Sequence, residues 1–220
     1  MHISDGVLSM PILAAGWIVT ILLIIITLAW SYKTYKKDIE NDTFLMQIPK
    51  IAIMTAAIFV ASLIHIPVGV TSVHLIMAGV LGVILGPFAF VCVFIALFLQ
   101  AVLFNFGGLL VLGVNAANMG IAAIISYFLF KFLSTKINPV ISGAIAGGIG
   151  VCVTAVLLGL TLYINGTQFI NYIFMELVLH APVAVIETIV TAFVVAFLMK
   201  VKPELLCIDI ENIKTKKITN

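Results

Sequence analysis

Six apolar runs, at about 10–32, 48–67, 88–105, 109–130, 139–163 and 170–199, each come near the ~20 residues that cross a bilayer core. They leave no room for a soluble fold. With 63% hydrophobic and 9% charged residues, the chain is far from the soluble proteins, in which roughly a quarter of residues carry charge. Between the second and third runs lies TSVHLIMAGVLGVILG, residues 71–86, short but apolar and ending at Gly86-Pro87. It reads as a further helix, broken from the next by the proline. The expected fold class is an all-α polytopic membrane protein, a bundle of about seven transmembrane helices. One domain covers 1–220: an N-terminal segment 1–9, the bundle over 10–199 and a tail over 200–220. A soluble ATPase or catalytic domain has nowhere to fit.

Lysine placement tests the helix count, because short cytoplasmic loops gather Lys and Arg and translocated ones do not. Lys33, Lys36, Lys37 and Lys50 fall in the first loop, Lys131 and Lys136 before the sixth helix, and Lys200, Lys202, Lys214, Lys216 and Lys217 in the tail. Seven helices bring all of them to one side, which is then cytoplasmic. The N-terminus and residues 65–74, 105–108 and 164–168 then lie together outside. Without the short third helix the later lysines would fall outside, so the charge pattern supports counting it. Asp38, Glu40 and Asp42 mix with the lysines of the first loop, which reads as a solvated connector. The tail is only slightly basic, Glu204, Asp209 and Glu211 diluting its attraction for anionic lipid headgroups. The expected surroundings are a lipid bilayer, with no nucleic acid.

Cys92, Cys152 and Cys207 are isolated, so neither a disulfide framework nor a CxxC metal site is indicated.

The opening MHISDGVLS carries chemistry of its own. It lacks the charged, apolar and small-residue order of a removable secretion signal, and a bulky second residue is expected to keep the initiator methionine. The Met1 amine, the His2 backbone nitrogen and the His2 Nδ1 can reach one ion, closing a five-membered and a six-membered ring. Three nitrogens in one plane suit nickel(II) or copper(II), not calcium or magnesium. An ordinary N-terminus beginning Met-His is the other reading.

Two of the four histidines stand in HIPVGVTSVH, residues 65–74. Neutral imidazole is the commonest metal ligand, and a fourth nitrogen would complete the plane. His74 is preferred over His65, because it is expected to open the third helix behind Thr71 and Ser72, which would cap that helix or support the ligand from behind. Interfacial hydrogen bonding accounts for both histidines equally well. In NFGGLLVLGVNAAN, residues 105–118, Asn115 and Asn118 share a helix face. They would hold the N-terminal segment or its metal, or simply bond across helices. In the last run Glu176 and His180 share a face and Glu187 follows, giving either a proton relay or a satisfied interhelical pair. Asn165-Gly166-Thr167 is a glycosylation sequon only in a source that glycosylates. Ala52, Ala56, Ala57 and Ala61 give small-xxx-small spacing for close helix approach, inside the bundle or to a partner.

Taken together, MHISDGVLS, HIPVGVTSVHL, ILGP at 84–87 and QAVLFNFGGLLVLGVNAANMG at 100–120 resemble the CbiM/NikM type, the substrate-binding membrane subunits of energy-coupling-factor transporters for cobalt and nickel. The resemblance covers the whole chain. It implies a seven-helix bundle whose added first helix carries an N-terminal metal-binding loop into the top of a six-helix fold. It implies as ligands the Met1 amine, the His2 amide and imidazole, and the histidine of the TS-x-H motif, here His74, with His65 outside the matching position. Members commonly have Gly where this chain has Val73. The implied partners are a transmembrane coupling subunit, two ATP-binding subunits and often a small accessory membrane protein. The implied cargo is Co2+ or Ni2+.

No Gly-x-x-x-x-Gly-Lys-Ser/Thr loop occurs in the chain, so ATP is expected to be hydrolysed on the partners. A self-sufficient secondary carrier is the competing function. It would place ionisable residues on several helices near the midplane and often show internal repeats, and the sequence shows neither. An intramembrane enzyme would need HExxH or a similar metal-and-base pair, and none is present.

Overall fold

The computed structural model describes residues 2–41 and 43–208 and, within them, every side chain but those of Thr43, Met46, Val68 and Thr71. Met1, Asp42, Asp209, Glu211 and the tail lysines Lys214, Lys216 and Lys217 lie outside the described residues. Helix α1 spans Met10–Thr34, with Pro11 in its first turn where no donor is lost. A short α2, Lys36–Glu40, and a 3-10 turn, Thr43–Gln47, lead into α3, Ile48–Ala61. Strands β1, His65–Val68, and β2, Thr71–His74, form a hairpin. Then come α4, Ala78–Leu85, α5, Ala89–Phe104, α6, Leu112–Ser134, α7, Pro139–Asn165, and α8, Ile170–Val201.

Among the described residues, five stretches are long and apolar enough to cross a membrane: Met10–Thr34, Ala78–Phe104, Leu112–Ser134, Pro139–Asn165 and Thr167–Val201. The chain is therefore an α-helical, multi-pass membrane protein. The break expected at Gly86-Pro87 is a 3-10 turn over Gly86–Phe88, with Gly86 at φ +54.

Two expectations are corrected. The second apolar run stops being helical at Ala61, and the helix expected from Thr71 begins at Ala78. Between them the chain pairs in antiparallel register, His65 opposite His74 and Pro67 opposite Ser72. Pro67 cannot continue a helix, the β-branched residues around it favour strands, and Gly69 at φ +58 opens the tight turn. His74 therefore ends a strand rather than opening a helix, and Thr71 and Ser72 are too far back to cap α4. That work falls to Glu187, near the middle of α8, whose Oε1 accepts the backbone N–H groups of Ile76 and Met77.

The extended approach also explains how so short a helix belongs to the bundle. Extended chain advances about 3.3 Å per residue against 1.5 Å in a helix. The four strand residues Thr71–His74 thus add about 13 Å to the about 12 Å of α4. All eight residues of α4 are buried. It fits because glycines let its neighbours close in, a Cβ on Gly79 falling 2.4 Å from Gly147 Cα and one on Gly82 2.6 Å from the Ala123 carbonyl.

Helix α1 is peripheral. Thr20 Oγ1 donates to the Gly113 carbonyl at 2.5 Å and Trp17 Nε1 to the Leu110 carbonyl at 3.0 Å, fixing it to α6, while Ile18, Leu22 and Ile25 face outward. At the end remote from residue 2, the Cys207 N–H bonds the Val83 carbonyl at 2.9 Å and Tyr35 packs on Phe88.

Candidate metal centre

Residues 2–9 fold over one end of the bundle, and three side chains hold them there. Asn115, in the first turn of α6, receives the Ile3 N–H on Oδ1 and donates Nδ2 to the Ile3 carbonyl, both at 3.0 Å. Asp5 accepts the Val111 N–H at 2.9 Å, a carboxylate at the positive end of α6, while its own N–H bonds the Gly107 carbonyl at 2.7 Å. Asn165, closing α7, donates to the Val7 carbonyl and accepts from the Ser9 N–H, both at 2.9 Å. Backbone pairing of Ser4 N–H with the Val70 carbonyl at 3.3 Å ties the segment to the hairpin turn.

Two glycines make room for this lid. Gly108, at φ +113, lies where a Cβ would meet Asp5 Oδ2 at 2.1 Å. Gly107, at φ +79, backs onto Asn115 and the His2 ring. Both conformations favour glycine.

The outcome is a buried pair of imidazoles. His2 and His74 are each 3% exposed, with ring centroids 4.8 Å apart. His2 Nδ1 faces His74 Nε2 at 3.0 Å, and His74 Nδ1 lies 2.7 Å from the Leu75 carbonyl. A carbonyl only accepts, so His74 Nδ1 carries the proton and Nε2 presents its lone pair to His2. Two nitrogens 3.0 Å apart, each bonded at ~2.0 Å to one ion, subtend an angle of about 97°. That is the angle of adjacent corners in a square plane. Burial holds both rings well below the ordinary imidazole range, which keeps them neutral and able to bind metal.

Among the described residues no three His, Cys, Asp or Glu side chains converge. Met1, the expected amine ligand, lies outside the described residues. His65 is exposed, its Nδ1 lies 2.9 Å from the Leu63 carbonyl, and its ring packs on Phe106 at 4.0 Å. Phe106 also contacts His2, at 4.3 Å, so one aromatic ring lies against both. Ser72 is buried beside His74 in β2, whereas the Thr71 side chain is not among those described. Asn118 bonds across helices, its Nδ2 3.5 Å from Thr161 Oγ1 on α7.

On α8, His180 Nδ1 lies 2.7 Å from the Glu176 carbonyl and 3.3 Å from its carboxylate, so the pair expected on one face does meet. Sequence reasoning gave no role to Asp5, Phe106 or Asn165 beyond their motifs. Asn165 had a signal, as a polar residue closing an apolar run, but the sequon reading pointed elsewhere.

Known proteins of similar sequence and shape match over nearly the whole chain. The family profile described as CbiM, cobalt uptake substrate-specific transmembrane region, matches residues 2–205. A putative metal transport protein of Haemophilus influenzae is 36% identical, covering 94% of this chain and 97% of that protein. A cobalt transport protein CbiM of Sorangium cellulosum is 30% identical over 94% of each chain. A putative fused nickel transport protein NikMN of Archaeoglobus fulgidus is 29% identical, covering 94% of this chain and 68% of that protein. The crystal structure of a truncated transition metal transporter superposes with a TM-score of 0.78 at 29% identity, covering 91% of this chain and 99% of that one.

Proposed function

The chain belongs to the CbiM family, and from that premise we propose that it is the metal-binding subunit of an energy-coupling-factor importer for divalent nickel or cobalt. As a family member it is a membrane component of cobalt or nickel uptake and not an enzyme. In the proposed site, one ion is held by the Met1 amine, the His2 amide nitrogen, His2 Nδ1 and His74 Nε2. The observation that carries this reading is the 3.0 Å approach of two buried, metal-competent imidazole nitrogens. The absence, among the described residues, of a third converging side chain favours backbone nitrogens for the remaining corners, and such donors select ions that accept a square plane.

Seven crossings with the N-terminus outside and the tail cytoplasmic complete the reading. The extended entry into α4 and the lysine distribution support that count. Energy would come from two ATP-binding subunits acting through a transmembrane coupling subunit, with a small accessory membrane subunit completing the complex. The ionisable residues buried in the bundle, Glu176, His180 and Glu187, all stand on α8, which gives little support to a self-sufficient proton-coupled carrier.

Metal analysis and an optical spectrum of protein with its native N-terminus test the site. One equivalent of nickel with a low-spin square-planar band, or one of cobalt, is expected. Liposome uptake of radiolabelled metal tests the mode, and uptake by this chain alone without ATP would establish the carrier instead.

A further inference from the structure

We infer that His65 and Phe106 form the entry point of the metal centre, an exposed imidazole that first takes the hydrated divalent cation and an aromatic shutter that lets it pass to His2 and His74, a route that rests on the nickel or cobalt reading above. His2 and His74 are each 3% exposed, so an ion from water reaches them only if something moves. Two elements adjoin the pair on the outer face, the N-terminal lid and the Phe106 ring. Lifting the lid breaks both Asn115 bonds to Ile3, the Asp5 bond to the Val111 N–H, both Asn165 bonds and the backbone bonds of Ser4 and Asp5. Several of the groups so released are buried and would be left unsatisfied.

Turning the Phe106 ring breaks no hydrogen bond. Its backbone is fixed, the N–H bonding the Gln100 carbonyl at 3.2 Å between Asn105 at φ +52 and Gly107 at φ +79. Its side chain is half-buried and meets three imidazoles, with centroids 4.0 Å from His65, 4.3 Å from His2 and 6.2 Å from His74. A rotamer change is also far faster than local unfolding of a clamped segment. The same ring therefore connects an imidazole in water with the two that are buried. His65 stands opposite His74 in the hairpin register and is exposed. The Leu63 carbonyl engages its Nδ1 at 2.9 Å, which leaves Nε2 to an arriving ion. Imidazole suits nickel and cobalt, and a single side-chain nitrogen holds them loosely enough to pass them on. The ion exchanges part of its water shell for that nitrogen, the ring turns aside, and the buried pair takes over. Phe106 then closes an apolar face on the occupied centre.

A group used only on the way in changes the barrier and not the two end states, so it must alter association and dissociation by one factor and leave Kd unchanged. Stopped-flow nickel(II) binding to the full chain measures both rates. His65→Phe keeps a flat ring against Phe106 and removes the donor nitrogens. Both rates should fall about tenfold, within the one to three decades over which association rates vary among variants of one site, at unchanged Kd. If His65 served only to pack on Phe106, this variant would keep wild-type rates. Phe106→Ala removes the shutter and should raise the association rate as well as the dissociation rate, whereas loss of mere packing on His2 would raise dissociation alone. Wild-type rates in His65→Phe, a weaker Kd in His65→Phe, or an association rate not raised in Phe106→Ala would overturn the entry route and leave the centre itself standing. Failure of the wild type to bind nickel or cobalt would overturn the parent reading and this one with it.

Discussion

Asn115 grips Ile3 at both of its backbone polar groups, Oδ1 taking the N–H and Nδ2 giving to the carbonyl, each at 3.0 Å. The carboxamide imitates a neighbouring β-strand. One buried side chain on α6 thus fixes the residue that follows His2, and with it the position of the His2 ring over His74. Asn115→Leu keeps the approximate volume but strands two buried backbone groups, a loss of about 1–3 kcal/mol each. Since the segment must dock for His2 and His74 to meet, at least part of that loss should appear as weaker binding, of order tenfold in nickel affinity. Isothermal titration against wild type measures it, and equal affinities would show that the lid docks without this clamp.

His74→Ala should cost far more metal affinity than His65→Ala or His180→Ala. Only His74 presents a lone pair to His2, whereas His65 Nδ1 is engaged by the Leu63 carbonyl and His180 Nδ1 by the Glu176 carbonyl. Loss of a direct ligand should exceed the 10–100-fold typical of supporting partners. Because His65 stands opposite His74 in the hairpin register, an equal loss in His65→Ala would move the fourth ligand there.

How far such a site can be read in advance depends on the reach of each interaction along the chain. The spanning helices were legible because apolar length is a local property, and the break at Gly86-Pro87 because proline acts on its own backbone. The hairpin was hidden inside apolar runs that read as helix, since hydropathy alone does not separate a buried strand from a buried helix turn. The pairing of His2 with His74 had the motifs in its favour. Asp5 on Val111 and Asn165 on Val7 join residues more than a hundred positions apart, in segments with no shared pattern, and only the folded bundle brings them together.

Glu187 makes a prediction about stability rather than binding. Its carboxylate satisfies the Ile76 and Met77 N–H groups where extended chain turns into α4, at a depth where lipid and packed side chains offer no replacement. Glu187→Ala leaves two buried donors unpaired, at about 1–3 kcal/mol each, and should lower the melting temperature in detergent by several degrees. Glu187→Gln retains an acceptor oxygen and should restore most of it. Equal melting temperatures for Glu187→Ala and wild type would show that another group caps this turn.

The last prediction concerns the chain's beginning. An amine and a peptide nitrogen chelate only if the amine is free, so the proposed ligand set depends on where the chain starts as well as on its side chains. One residue added before Met1 converts the amine to an amide, while His2, His74 and the clamps on Ile3, Asp5 and Val7 are chemically untouched. The extended protein should keep its melting temperature and lose metal binding and uptake. His2→Ala should match it in binding, and a tag after Asn220 should be tolerated. An N-terminally extended protein with unchanged affinity and spectrum would exclude the amine. The ion would then be held by His2, His74 and deprotonated amide nitrogens of the extended chain, which are in-plane donors of the kind a square-planar band requires.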